Sequence, residues 1–214
     1  MQHIQGNKSY DSTLGWLREV KPDVAVLTEF TSPLQDGMQS LQAGLPHHAG
    51  SPDPGANGIA IYSRYRILRS ETLHLGHVRR MLLTTVIDVD KREITLFAVH
   101  PLPPTSRFAA HERDAYLSEL GRMVQRTQGP VIVAGDLNAT PWSHAFNELL
   151  AADLTVSHFT PTWPAGWGPL GIPIDHVLSR GVRIAELRAG PALGSDHLPV
   201  FAEIVIAEPP GRSR

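Results

Sequence analysis

The sequence predicts an α/β protein in which short buried strands alternate with amphipathic helices and bring polar side chains to one sheet edge. Three observations predict it. Residues 131–134, VIVA, run directly into Gly135, Asp136 and Asn138; a short apolar run bounded by turn residues reads as a buried strand. Residues 81–89 (MLLTTVIDV) and 93–99 (EITLFAV) flank Asp90-Lys91-Arg92, the pattern of a hairpin. Residues 106–126 form the longest helical pattern, with Tyr116, Leu117, Leu120, Met123 and Val124 on its core side.

Composition bounds the rest. The chain has 214 residues, 42% hydrophobic and 19% charged, enough for one large core and ordinary for a globular protein. It reads as a single domain over residues 1–206, followed by a Pro/Gly/Arg-rich tail at 207–214 that is expected to be disordered. There is no cysteine, which excludes disulfides, thiolate zinc sites and cysteine nucleophiles. A net charge of -2 and a pI near 6.6 argue against a sequence-independent polyanion binder. They leave room for a nuclease, because a metal and a local patch can supply the positive field. No run of about 18 apolar residues is present, and the opening MQHI has neither the basic start nor the apolar middle of a signal peptide. The chain as given therefore reads as soluble.

Taken in order, residues 10–20 (YDSTLGWLREV) predict an amphipathic helix, with Asp11 or Ser12 as cap. Val24-Ala25-Val26-Leu27 predicts a strand that runs into Thr28 and Glu29. A short helix is expected within residues 32–45, and residues 46–57 (PHHAGSPDPGAN) read as a loop too broken to pack. Residues 58–63 predict a strand and 64–75 an edge strand. The second hairpin strand ends in His100, followed by Pro101-Leu102-Pro103-Pro104, which suits neither helix interior nor central strand.

His111-Glu112 lacks the second histidine of a zinc-protease helix, since position 115 is alanine; the pair reads as a solvated face. Thr140 and Pro141 predict a helix start, as N-cap and first helical residue, with Trp142, Ala145, Phe146, Leu149 and Leu150 following. Residues 153–171 form a long irregular segment containing PTWPAGWGPLG, expected to line a cleft. Trp163 or Trp167 is placed to stack on a ligand or to plug the loop. Strands follow at 172–178, 182–187 and 198–206, with Asp175 at the start of the first and Asp196-His197 just before the last.

Glu29, His100 and Asp136 thus follow strands, whereas Asp175, Asp196 and His197 precede them. Each in isolation reads as readily as a turn or structural residue. In a mixed or antiparallel arrangement the ends of some strands and the starts of their neighbours share one edge. Several carboxylates, two imidazoles and the Asn138 amide would then meet. Crowded carboxylates repel one another without a cation, so a hard divalent ion, Mg²⁺ or Mn²⁺, is the expected occupant. The histidines suit proton transfer near neutral pH.

These segments resemble a known superfamily. GDLNATPWS, IDHVL and GSDHLPV are similar to the three C-terminal signatures of the endonuclease/exonuclease/phosphatase superfamily, which includes pancreatic-type deoxyribonuclease, abasic-site endonucleases and neutral sphingomyelinases. DVAVLTE resembles its metal-glutamate motif and FAVHPLPP its mid-chain histidine motif. The resemblance runs from about residue 11 to 206, and PTWP and PIDHVL are similar to a poorly characterised bacterial subgroup whose members often carry an N-terminal membrane anchor.

The resemblance implies a four-layer α/β sandwich: two packed mixed sheets with helices outside and the site at one edge. It implies Glu29 as principal metal ligand, with Asp196 and Asp136 also at the metal. His197 would contact the scissile phosphate or take a proton from water, with Asp175 on its other nitrogen. Asp136 would position or deprotonate the attacking water, and Asn138 would hold a phosphate oxygen. His100 would stabilise the phosphorane-like charge or protonate the leaving oxygen. His176, next to Asp175, is expected on the opposite side of its strand. Arg79 or Arg80 is placed to neutralise phosphate charge.

One departure stands out. The family's opening strand carries an Asn ligand, and here no apolar strand precedes the first helix. Asn7 is the nearest Asn, with Gln2 at or beside the usual position. The reading is a divalent-metal-dependent phosphoesterase, monomeric, without an obligate protein partner. Its substrate would be nucleic acid, nucleotide or phospholipid head group, with Asn7, Asn138 and Trp163 as contacts. The alternatives are a catalytically impaired binding domain of the same fold and, less well supported, a serine hydrolase using Ser195. Against the latter, no GxSxG elbow is present.

Overall fold

The structure is a computed structural model and describes residues 10–206. Gln2, Asn7 and the tail at 207–214 lie outside the described residues. In chain order the elements are α1 (Asp11–Val20), β1 (Val24–Thr28), α2 (Ser32–Met38), β2 (His47–Ser51), β3 (Ile59–Ser63), β4 (Arg66–Leu75), β5 (Arg80–Val89) and β6 (Arg92–Val99). They continue with α3 (Arg107–Arg126), β7 (Val131–Asp136), α4 (His144–Leu150), β8 (Asp175–Arg180), β9 (Arg183–Ala189) and β10 (Val200–Val205).

A five-stranded sheet has the order β4-β5-β6-β7-β8. Its β6–β7 pair is parallel and the others are antiparallel. Asp90 and Lys91 close the β5–β6 hairpin with φ of 51° and 67°, both left-handed, as a two-residue turn of the primed type requires. The parallel β6–β7 pair cannot be closed by a tight turn, and α3 fills the crossover. A smaller antiparallel sheet has the order β1-β3-β2, and β10 pairs with β9.

The period of two in the strands sorts side chains into layers. From β6, Phe97 and Val99 face α3 and α4, where they meet Tyr116, Leu117, Leu120, Phe146 and Leu149. Ile94, Leu96 and Ala98 point the other way, into a core shared with Ile59 and Ile61 of β3. From β3, Ala60 and Tyr62 point outward against Leu14 and Leu17 of α1 and Leu34 and Met38 of α2. The result is the expected four-layer sandwich: helices, small sheet, large sheet, helices.

Several local expectations are corrected. Residues 47–51 form an edge strand, because Ala49 reaches the inter-sheet core even though its neighbours are polar. The helix after β7 begins at His144: Ser143 is its cap and accepts from the Phe146 amide. Thr140 instead accepts from the Ser143 amide, and Trp142 is left 73% exposed. In α1 the N-cap position is Tyr10, without a side-chain cap, and Asp11 lies in the first turn. Glu112 is buried, only 2% exposed, so it is not part of a solvated face.

Candidate active site

Glu29, His100, Asp136, Asp175 and His197 gather where the strand directions bring them. β6 and β7 run parallel, so His100 and Asp136 leave the large sheet at the same edge. β8 is antiparallel to β7 and starts with Asp175 opposite Asp136. The approach of β7 to β6 is possible because residue 135 is glycine. Its φ is 146°, and a Cβ there would lie 2.0 Å from the Val99 carbonyl oxygen, which no side chain tolerates. Glu29 turns off the end of β1 with φ of 51°, and the loop before β10 supplies His197.

The geometry is that of an oriented imidazole beside acids. His197 Nδ1 lies 2.8 Å from Asp175 Oδ2, and its Nε2 lies 3.9 Å from Asp136 Oδ2. His100 Nε2 lies 3.6 Å from the same Asp136 oxygen. The Asn138 amide donates to Asp136 Oδ1 at 2.8 Å, an Asx turn in which Asn138 has φ of 49°. Asn138 Nδ2 donates to the Pro101 carbonyl at 3.1 Å, tying the β7 loop to the segment after β6.

The profile of the Endonuclease/Exonuclease/phosphatase family matches residues 4–197. The chain belongs to this family. Among curated relatives, a UPF0294 protein of Vibrio parahaemolyticus is 27% identical over 152 residues, which is 69% of this chain and 45% of that protein. The chain thus spans about half the length of the curated relatives it matches. Among solved structures, an endonuclease/exonuclease/phosphatase from Beutenbergia cavernae aligns with a TM-score of 0.78 at 21% identity, covering 94% of this chain and 67% of the other. A 3′ phosphatase from Neisseria, bound to a product DNA hairpin, aligns with a TM-score of 0.68 at 19% identity, covering 92% and 96%. At these identities the structural likeness is one of fold.

For a member of the endonuclease/exonuclease/phosphatase family, the electrostatics of this edge carry chemical meaning. Burial, reinforced by the charge of Asp175, pushes the Asp136 carboxyl up to about 7. Burial and the nearby Asp196 likewise raise Glu29 to about 7, against the lowering influence of His197 and Arg80. For both acids burial outweighs the nearby positive charge. The nearest ligand atoms of Asp136, Asp175 and His197 all lie within 4.8 Å of one another. Two carboxylates and an imidazole in that spacing suit a divalent cation, which would favour the ionised form of Asp136; Glu29 lies outside this group.

The two histidines are tuned apart. Burial lowers the pKa of His197, but its hydrogen bond to Asp175 and the charges of Asp175 and Asp136 outweigh this and raise it above the ordinary value. His100 is driven down to about 3 by burial and by the positive charge of Arg80. His197 thus takes up a proton more readily than an ordinary imidazole, and His100 less readily.

The remaining predicted residues fall at varied distances from this cluster. Asp196 is exposed and accepts from the Trp163 indole N–H at 3.1 Å, while the Asp196 carbonyl accepts from the Ala165 amide at 2.7 Å. Trp163 thus braces the His197 loop. Trp167 is 62% exposed. His176 lies on the far side of β8, as expected: its Nε2 is 2.9 Å from the Ala139 carbonyl oxygen, and its ring packs on Phe146 at 4.7 Å. Of the two arginines, Arg80 turns toward the site and Arg79 is exposed.

Sequence reasoning passed over Arg113, whose Nη1 donates to the Asn138 carbonyl at 2.9 Å and holds the β7 loop on α3. Nothing in the local pattern marks it, since one arginine on a helix reads as surface charge. Among the described residues, no helix is long and apolar enough to cross a membrane.

Proposed function

We propose that the chain is a divalent-metal-dependent phosphoesterase that directs water in line onto the phosphorus of a phosphodiester or phosphomonoester. The observation that carries this reading is the Asp175–His197 pair at 2.8 Å, with the Nε2 edge of the ring turned to Asp136. It is a base with a fixed tautomer, set beside a carboxylate and within reach of a reacting phosphate.

In this reading Glu29, Asp136 and Asp196 hold Mg²⁺ or Mn²⁺, which supplies Lewis-acid polarisation of the phosphoryl oxygens when bound. Asp175 holds His197 Nδ1–H, leaving Nε2 to receive the proton of the attacking water. Asp136 accepts from that same water and fixes its line of approach. Asn138 and His100 face the phosphoryl oxygens, and Asn7 and Trp163 extend the substrate contacts. The substrate is a small or flexible phosphate ester, in keeping with a chain whose net charge is -2. A relative with DNA product bound makes a short nucleic acid the first class to try.

The test is hydrolysis of bis-(p-nitrophenyl) phosphate, p-nitrophenyl phosphate and a short oligonucleotide with Mg²⁺ or Mn²⁺. It is run with and without EDTA, beside Asp136→Ala and His197→Ala. Turnover that needs metal and is lost in both variants is the expected result. A folded native protein that binds an oligonucleotide but turns over none of the three would overturn the reading in favour of a binding domain.

A further inference from the structure

Arg80 opens β5 directly beside His100, the last residue before the Pro101 segment. Its Nε donates to the His100 carbonyl at 3.2 Å, one Nη2–H goes to the Ala56 carbonyl at 2.7 Å, and Nη2 also lies 3.3 Å from His100 Nδ1. Asn57, next to Ala56, accepts from the Met81 amide at 2.9 Å, so the loop that receives the guanidinium is itself tied to β5. The group is therefore held by three contacts, two to His100 and one to Ala56, and has little freedom to turn away.

A guanidinium carries N–H donors and no acceptor. The His100 nitrogen that faces it must present a lone pair. We infer that Arg80 is a positioning residue that locks His100 in the neutral Nε2–H tautomer, so that His100 serves as a fixed hydrogen-bond donor to a phosphoryl oxygen rather than as the acid that protonates the leaving group. The single ring proton is then on Nε2, the nitrogen 3.6 Å from Asp136 Oδ2, on the side where Asp136 and His197 converge. A neutral imidazole held this way lends its N–H to developing negative charge without giving the proton up. The tautomer rests on the geometry of the resting protein alone; the catalytic use rests on the phosphoesterase reading above.

The experiment is long-range ¹H–¹⁵N correlation spectroscopy of protein labelled at the imidazole nitrogens, with His100 assigned by comparison with His100→Gln. Native protein, Arg80→Lys and Arg80→Met are compared at neutral pH, and kcat and KM are measured on bis-(p-nitrophenyl) phosphate. The native and Arg80→Lys spectra show the Nε2–H tautomer, and Arg80→Met shows Nδ1–H or a mixture. Alongside, kcat of Arg80→Met falls by about 10²-fold with little change in KM, on the scale of losing one preorganised donor, and Arg80→Lys recovers most of it.

A native ring protonated on Nδ1, or on both nitrogens, overturns the inference, and the native spectrum alone decides this if Arg80→Met does not fold. Persistence of Nε2–H in folded Arg80→Met overturns it too, even if activity is lost, because Arg80 would then act on substrate directly. If the tautomers behave as stated and native protein hydrolyses nothing, the Arg80 assignment stands and the phosphoesterase reading fails.

Discussion

Asp136 and Asp175 are the last cross-strand pair of the β7–β8 ladder, two carboxylates directly opposite each other at the sheet edge. Like charges in that relation destabilise a strand pair. Here the opposition is moderated by His197, which hydrogen-bonds Asp175 with one ring nitrogen and reaches toward Asp136 with the other. The pair is therefore stabilised by the group it serves, and its remaining negative charge is available to a cation.

Asp175→Asn keeps the side chain's shape and removes the charge that orients His197. In metal-supported hydrolysis of bis-(p-nitrophenyl) phosphate, kcat falls by roughly 10²–10⁴-fold, with a folded state of near-native melting temperature. An unchanged kcat would show that the His197–Asp175 contact is structural.

The metal-free protein loses stability as pH rises. Glu29 and Asp136 are pushed up to about 7, burial being the largest cause, from ordinary values of 4.5 and 3.8. With folded values above unfolded ones, their contribution is fully present below the unfolded values and is lost as pH rises through about 7. The melting temperature of chelator-treated protein falls between about pH 5 and about pH 8, more steeply than that of the Glu29→Gln, Asp136→Asn double variant. Added Mg²⁺ raises the native melting temperature at the upper pH and leaves the double variant unmoved. A flat metal-free profile would contradict the assignment.

Glu112 behaves in the opposite sense. It accepts from the His77 and Val78 amides at 2.8 and 3.1 Å and pairs with His77 Nδ1 at 2.8 Å, anchoring the β4–β5 turn to α3. The Val78 amide, followed by His77, holds its carboxyl below the ordinary range. That stability is present above the ordinary carboxylate pKa and is lost as pH falls through the folded value. Glu112→Gln lowers the melting temperature at neutral pH, and the gap to native narrows on acidification. A gap that widened in acid would refute this.

His176→Ala separates packing from chemistry. Burial holds its pKa down, and its ring fills space beside Phe146. Truncation costs about 2–5 kcal/mol in urea unfolding, as for other large buried side chains. The folded variant keeps a kcat close to native, in contrast to His197→Ala. Loss of turnover in folded His176→Ala would place this ring in the reaction.

Much of the candidate site was legible because its residues sit where local signals end. Gly135-Asp136 closes an apolar run, His100 stands before a proline-broken segment, and Asp90-Lys91 announces the hairpin that orders β5 and β6. Where local signals are weaker, tertiary packing decides the element. Thr140-Pro141 has good capping chemistry, yet Ser143 won the helix start, with Ala145, Phe146 and Leu149 packed beneath it. Residues 47–51 lack strand composition and were recruited by pairing with β3. Glu112 lies four residues before Tyr116 on the inward face of α3, but its charge reads as solvated, and only the arriving β4–β5 turn, 34 and 35 residues away, gives it partners.

By itself the sequence determined the alternation of strands and helices, the family resemblance and the residue types at the sheet edge, because periodicity, turn chemistry and chain punctuation act over a few residues. Tertiary structure decided which groups touch: Asp175 with His197 across 22 residues, Arg80 with His100 across 20, Arg113 with Asn138 across 25. Those pairings depend on strand direction, register and layer packing. The tautomers and shifted pKa values depend on them in turn, since burial and neighbouring charge exist only once the layers have closed.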